Sequence, residues 1–323
     1  MPSSVLSAAV PTVAIEIARN RVSAASIVMR DSALAVAAHA VEALPAGAVS
    51  PSLNAPNIVN ARAVTEALRR VLDRISARPK RIALAIPDSV AKVSLLKFDK
   101  VPPRAADLEE LIRWQVRKAV PFAIENAQLS YVPAMTSADG ASEFVVVLAR
   151  RDIVQEYESV CSAVGAQAGI VDLATFNVIN AVLAGPGAPK DDWLLVHVTQ
   201  EDATMAILRG QQLVFFRNHA GEGEGSLADM VHQTAMYYED RLSGAGFSRV
   251  LLAGAGSTAT SATSKGISDT DDLRRTLEQR LSARVDQVDP RQAANLTDRI
   301  SASPELLDAL APLVGLMVRE KAA

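Results

Sequence analysis

Residues 12–29, TVAIEIARNRVSAASIVM, decide the fold class. Branched and small apolar residues fill 12–17 around the single charge of Glu16, the pattern of a strand with little solvent contact. Arg19-Asn20-Arg21 is a polar turn, and residues 22–29 return as a second strand. The small-residue stretch 34–41 predicts a third strand, and 47–56 is a Pro/Ser/Asn loop. In residues 57–75, Ile58, Ala61, Val64, Ala67, Leu68, Val71, Leu72 and Ile75 recur at helical spacing, which predicts a helix with one apolar face. Pro79 ends it, and 81–86 reads as a short strand.

The same order returns after the linker GPGAPKDD at 185–192. Strands are predicted at 193–198, 203–208 and 211–216, then a Gly-rich loop at 221–225, a helix at 227–242 and a strand at 249–253. Strand, turn, strand, strand, loop, helix, strand therefore occurs twice, with little identity between the copies. Between them lies an insert. It has a helix with Leu108, Leu111, Ile112, Val116 and Ala119 on one face, a capping box from Asp107 and Glu110, and strands at 128–134 and 143–149 around Asp139-Gly140. Helices follow at 152–164 and 175–183, with a short strand between them at 170–172. The chain closes with a helix at 271–281, a strand at 285–288 and a helix at 304–316, and a Ser/Thr/Gly loop is predicted at 258–269.

Composition narrows the function. The 323 residues are 49% hydrophobic, enough for two cores, and the net charge of -3 gives no electrostatic case for nucleic acid. Aromatic residues are 4%, too few for base-stacking platforms. Cys161 is the one cysteine and falls in a predicted helix, so neither a disulfide framework nor a cysteine zinc site is expected. No basic leader precedes residue 20, and the longest apolar run near the end is broken by Asp308 and Pro312, so a cytoplasmic location is expected. The histidines at 39, 197, 219 and 232 form no HExxH motif, and no P-loop, dinucleotide fingerprint or GxSxG elbow is present. No catalytic or metal-ligating set is predicted.

The turns are where chemistry would sit. Two strand-turn-strand units can face one another across a cleft, and turn amides can hold phosphate where glycine allows close approach. In the first turn Glu16 supplies a carboxylate and Arg19 and Arg21 positive charge, but Ala18 stands where glycine would help. The second, HVTQED at 197–202, has no glycine and two acids. The third stretch, VLLAGAG at 250–256, ends a strand in Gly254-Ala255-Gly256 and can approach a flat ring.

The order of these pieces resembles the actin-like ATPase superfamily and, more closely, the PilM-type assembly proteins of bacterial type IV pili, with the related MshI and cytoplasmic GspL-like proteins. The carrying segments are RIALAIPDSVAKVSLLKF (81–98), DLEELIRWQVRKAVPF (107–122), VDLATFNVINAV (171–182), RVLLAGAGSTA (249–259) and APLVGLMVR (311–319). The resemblance implies an α/β, actin-like (ribonuclease H-like) duplicated fold with a small inserted α/β subdomain. It implies domain 1 over 1–86, the insert over 87–165, a return to domain 1 over 166–187, and domain 2 over 188–323. It also implies ATP/Mg²⁺ at Glu16, Arg19, Gly254 and Gly256. Ala18, His197 and Thr199 depart from the family pattern, so that binding is expected to be weakened or absent.

The expected role is a cytoplasmic scaffold of a type IV pilus or related type II secretion platform, peripheral to the inner membrane through its partners. It would bind the tail of a PilN-like single-span membrane protein through Leu108, Leu111, Trp114 and Phe122, contact platform proteins and their motor, and self-associate. Two alternatives stand beside it: a slowly hydrolysing ATPase of the same machinery, and an FtsA-like membrane-associated filament protein.

Overall fold

The computed structural model describes residues 11–30, 33–136, 140–200, 202–220, 226–256, 270–297 and 302–322. The expected loops at 221–225 and 258–269, Asp139 of the expected turn, and Glu201 lie outside the described residues.

The first lobe opens with β1 (Val13–Ile17), β2 (Arg21–Arg30) and β3 (Ala33–Ala43), then α1 (Ala61–Arg74) and β4 (Arg81–Ile86). The insert follows as β5 (Ala91–Phe98), α2 (Ala105–Val116), β6 (Ala127–Thr136) and β7 (Ser142–Arg150). The chain then returns through α3 (Arg151–Ser162), β8 (Gln167–Leu173) and α4 (Ala174–Leu183). The second lobe holds β9 (Asp192–Val198), β10 (Asp202–Arg209), β11 (Gln212–Ala220), α5 (Leu227–Leu242), β12 (Arg249–Ala253), α6 (Thr270–Leu281) and β13 (Val285–Gln287). The short β14 (Asn295–Leu296) and α7 (Pro304–Ala322) close the chain.

The two main sheets have the same topology. Strand order is β14-β3-β2-β1-β4-β8 in the first and β11-β10-β9-β12-β13 in the second. In both, the opening three strands run antiparallel, and the first of them also pairs parallel with the strand that follows the crossover helix. Parallel pairing requires a long crossover, which α1 supplies in one lobe and α5 in the other. The expected duplication is therefore present in the backbone despite divergent sequence. All five residues of β1 are buried, because helices cover both faces of its sheet. One face meets α1 through Val64, Leu68, Val71 and Leu72. The other is a floor of Ala14, Ala25, Ala83 and Ala85, onto which α7 lays Leu310, Leu313, Val314 and Leu316. Helices α4 and α7 cross so closely that a Cβ on Gly315 would lie 1.6 Å from the Asn177 carbonyl oxygen.

That packing corrects the expected boundary of domain 2. Residues 188–323 do not form one unit: β14 pairs with β3, and α7 packs on β1, β2 and β4 of the first sheet. The apolar face of α7 matches the alanine floor of the first lobe, a complementarity that no local sequence signal carries. The helix also runs past its expected end at Leu316 and through Pro312. The insert forms its own three-stranded sheet, ordered β5-β7-β6, with α2 over it. Its α2 begins at Ala105, so Arg104 is the N-cap and makes no side-chain cap bond. Asp107 therefore does not cap the helix; it accepts a 2.8 Å hydrogen bond from Arg104 Nε. Helix α3, expected within the insert, packs Ile153, Tyr157 and Val160 into the core shared with α1. That core continues through Trp193, Leu195, Leu208 and Leu251 onto the facing side of the second sheet. No described helix is long and apolar enough to cross a membrane.

Candidate functional site

The two sheets bring their turns to one cleft, a cavity of about 240 Å³. Its lining includes Glu16, Ala18, Arg19 and Arg21 from the first turn, His197, Thr199 and Asp202 from the second, and Gly254. Three of the four residues expected at the cofactor site, Glu16, Arg19 and Gly254, thus converge there. Gly256 is not among the lining residues and lies deeper, against the start of α7.

Each turn closes on itself. The Ala18 amide donates to the Arg21 carbonyl at 3.0 Å, and the Thr199 amide donates to the Asp202 carbonyl at 2.8 Å. These two amides are therefore committed to the turns and are not presented to a ligand. In the first turn Arg21 Nη2 donates to Glu16 Oε2 at 3.1 Å, so the acid that would face a metal-bound phosphate is already ion-paired. In the second, Thr199 Oγ1 donates to Asp202 Oδ1 at 2.6 Å. Burial raises the Asp202 carboxyl above the ordinary range, and nearby Asp88 adds to this, while Thr199 and His197 work against it.

Sequence reasoning overlooked the acid at the floor of the cleft. Asp88 follows Pro87 at the end of β4 and is 3% exposed. Its carboxylate accepts from the Thr175 amide at 3.1 Å, from the Thr175 hydroxyl, and from Thr204 Oγ1 at 2.7 Å. Because the Thr175 amide lies in the first turn of α4, Asp88 acts as a remote cap on that helix. Thr204 in turn accepts from Asn218 Nδ2 at 2.9 Å. His197 Nδ1 lies 2.7 Å from Thr175 Oγ1. A threonine hydroxyl has one proton, and Thr175 gives it to Asp88, so the His197 Nδ1 carries the hydrogen of that contact. His197 is 6% exposed and is a packed member of this network. The one available signal was the pair Pro87-Asp88 after an apolar strand: an acid there is either solvated at an open end or buried with partners.

In the sequence Asp308 interrupts an apolar run, and the fold gives it partners. It is 3% exposed and accepts the Gly254 amide at 2.9 Å and the Gly256 amide at 2.7 Å. An acid inside the buried face of a helix must find donors, and that rule was the missed signal. Cys161 is buried in the first-lobe core, and burial pushes its thiol up to about 12, which removes it as a nucleophile at neutral pH.

The groups expected to meet Mg²⁺-ATP are engaged within the chain. The expected adenosine-side amides are taken by Asp308, Glu16 is held by Arg21, and the Ala18 and Thr199 amides are spent internally. The cavity is also below the roughly 300–1,000 Å³ usual for small-molecule pockets. Among the described residues no cluster of three metal-ligating side chains occurs.

The expected partner residues separate. Leu108 is 8% exposed in the insert core with Ile112, Val116 and Phe144, so it is not available to a partner. Leu111 and Phe122 are partly buried against that core. Trp114 is 62% exposed, with the Arg117 guanidinium 5.4 Å from the ring centroid. Phe122 lines a cavity of about 370 Å³ with Arg150, Arg151, Asp152 and Gln155. A second cavity, of about 390 Å³, shares Asp152 and Gln155 and runs on to Ile58, Ala61 and Thr65 of the first lobe.

Comparison with known proteins places this geometry. The family model described as type IV pilus assembly protein PilM matches residues 14–244, more than half of the chain. No curated protein matches the sequence. A solved PilM-PilN type IV pilus biogenesis complex is 17% identical and superposes with a TM-score of 0.78, covering 96% of this chain and 98% of that one. The ethanolamine utilization protein EutJ from Carboxydothermus hydrogenoformans is 9% identical with a TM-score of 0.50, covering 96% of this chain and 90% of its own. A protein with actin-like ATPase fold and unknown function from Bacteroides thetaiotaomicron is 11% identical with a TM-score of 0.49, covering 85% and 90%. The fold is the actin-like α/β fold.

Proposed function

This chain belongs to the PilM family of type IV pilus assembly proteins, and on that premise we propose that it is a nucleotide-independent scaffold at the cytoplasmic face of a pilus assembly platform. The observation that carries the proposal is the closed cleft: the Ala18 and Thr199 amides, the Glu16 Oε2 and the Gly254 and Gly256 amides are each engaged by the chain itself. ATP binding is weak or absent in this reading, and the fold serves as a rigid support for protein contacts.

The partner is the cytoplasmic tail of a PilN-like single-span membrane protein, through which the chain sits beside the inner membrane. The cavity lined by Phe122, Arg150 and Arg151 supports this, because it sets an aromatic ring beside two arginines and shares Asp152 and Gln155 with the cavity that reaches Ile58, Ala61 and Val160. Trp114 supplies an exposed aromatic contact on the insert, the residue type that anchors interfaces. Platform and motor contacts and self-association are further parts of the proposed scaffold role. The membrane-filament alternative loses its support, since α7 spends its apolar face on the first sheet.

Calorimetry with a synthetic copy of the PilN-like tail tests the proposal. Binding is expected without nucleotide, weakened at least about tenfold by Arg151→Glu and by Trp114→Ala, hot-spot losses of roughly 1.4 kcal/mol or more. Mg²⁺-ATP is expected to leave the affinity unchanged. Tail binding that requires Mg²⁺-ATP, or none in either condition, sinks the scaffold reading.

A further inference from the structure

Asp308 of α7 lines the cleft beside Gly254. Its carboxylate sits in the cradle formed by the Gly254 and Gly256 amides, at 2.9 and 2.7 Å, with Gln287 Nε2 3.5 Å from Oδ1. Two converging backbone N–H groups are an anion-binding concavity, and here the anion belongs to the protein. The cradle is shaped around it. A Cβ on Gly256 would lie 2.9 Å from Asp308 Oδ2, and a Cβ on Gly254, whose φ is +81°, would lie 2.0 Å from the Val198 carbonyl oxygen.

The position of Asp308 gives this contact its consequence. It is carried by α7, which packs on the first sheet, while Gly254 and Gly256 follow β12 of the second. On the other side of the cleft, Asp88 of the first lobe accepts from Thr204 of the second. Two buried carboxylates carried by first-lobe elements thus each accept from the second lobe, Asp308 from Gly254 and Gly256, and Asp88 from Thr204 beside its two bonds from Thr175 of the first.

We infer that the two lobes are held closed by the chain's own carboxylates, with the Gly254–Gly256 cradle an anion site whose resident ligand is Asp308. The inference rests on the nucleotide-independent scaffold proposed above and says what replaces the ligand. An anion can enter the cradle only when Asp308 leaves it, and a small carboxylate is the chemical class that fits. The contact also makes α7 part of the clasp: displacing the closing helix would free the cradle and part the lobes.

Thermal unfolding of the full chain with Asp308→Ala, in sodium formate and in sodium chloride of equal ionic strength, tests this. The substitution leaves two buried donors unpaired, so a melting temperature lower by roughly 3–10 °C is expected. Formate is expected to restore at least ~2 °C of that loss in the variant and nothing in the wild type, because it binds only the emptied site. Equal responses in both proteins, or none in a folded variant, overturn the inference. Asp308→Asn keeps the side-chain shape and provides a second measurement. Amide exchange at Gly254 and Gly256 is expected to quicken at least about tenfold at one of the two sites, while the amides of β12 stay unchanged. Unchanged exchange at both overturns it as well. Failure of the PilN-like tail to bind would sink the scaffold reading and leave these outcomes untouched, so the two can fail separately.

Discussion

The two turns at the cleft share one backbone and carry opposite charges. Ala18 and Thr199 occupy the same place, each donating its amide to a carbonyl three residues on. Glu16 then matches His197, Arg21 matches Asp202, and Ser23 matches Thr204, as the strand registers require. The first turn ion-pairs an acid in the strand with an arginine after the turn, whereas in the second the acid after the turn accepts from Thr199 and the strand histidine meets Thr175. Repetition of the fold has therefore preserved the hairpin geometry while the acid moved from the strand before the turn to the strand after it. The hairpin needs only its closing hydrogen bond, which both turns keep whatever charges flank it. A phosphate site would need more, namely free amides and matched acids on both sides, and that second requirement is absent here.

The largest expected effect tests the loops beyond those turns. Ala85 and Ala253 are equivalent, since they lie opposite Glu16 and His197 respectively, so Ile86 corresponds to Gly254. Gly254→Ala drives a Cβ into the Val198 carbonyl at a positive φ and is expected to destabilise the chain by more than about 4 kcal/mol. Ile86→Val removes one methylene from a packed site and is expected to lose about 1 kcal/mol. Denaturant unfolding measures both, and similar losses would break the distinction between a clasped loop and an ordinary one.

The middle effect separates the two hydroxyls. Thr204→Val leaves Asp88 one donor short in a buried network and is expected to cost about 2–3 kcal/mol. Ser23→Ala removes only a 3.3 Å contact from Arg21 Nε and is expected to cost about 0.5–1 kcal/mol in the same unfolding measurement. Equal losses would mean that the clasp across the cleft carries no special weight.

The smallest effect concerns pH. Burial raises the folded-state carboxyl of Asp202, so its stabilising contribution is complete below the unfolded value of about 3.9 and declines as pH rises through the folded value. Asp202→Asn is expected to remove that decline while keeping an acceptor for Thr199. The stability difference between wild type and variant should therefore shift in favour of the variant from about pH 4 toward neutrality, read by unfolding across pH. A difference that does not change with pH would show that burial of Asp202 is not opposed by ionisation.

Most of the elements were legible because apolar periodicity is local. Strands β1, β2, β9 and β12 and helices α1 and α5 follow from spacing that each segment carries alone. The short β14 has two residues and no pattern to read. Strand β5 was marked only by family resemblance, since Ala91–Phe98 mixes two lysines into its alternation. At the site, Glu16, Arg19 and Gly254 were found because turns next to strands are local features as well. Asp88 and Asp308 were not, because their meaning depends on Thr204 and on Gly254 and Gly256, which lie 116, 54 and 52 residues away.

The sequence by itself determined the doubled α/β plan, the loss of glycine at Ala18 and in the second turn, and the absence of a familiar catalytic motif. Only the tertiary structure decided that α7 returns to the first lobe, that Leu108 is core, and that the cleft is closed by Asp88 and Asp308. The physical reason is the range of the forces involved. Periodicity and turn chemistry act within a few residues, whereas a buried carboxylate is stable only where distant backbone and hydroxyl donors meet it.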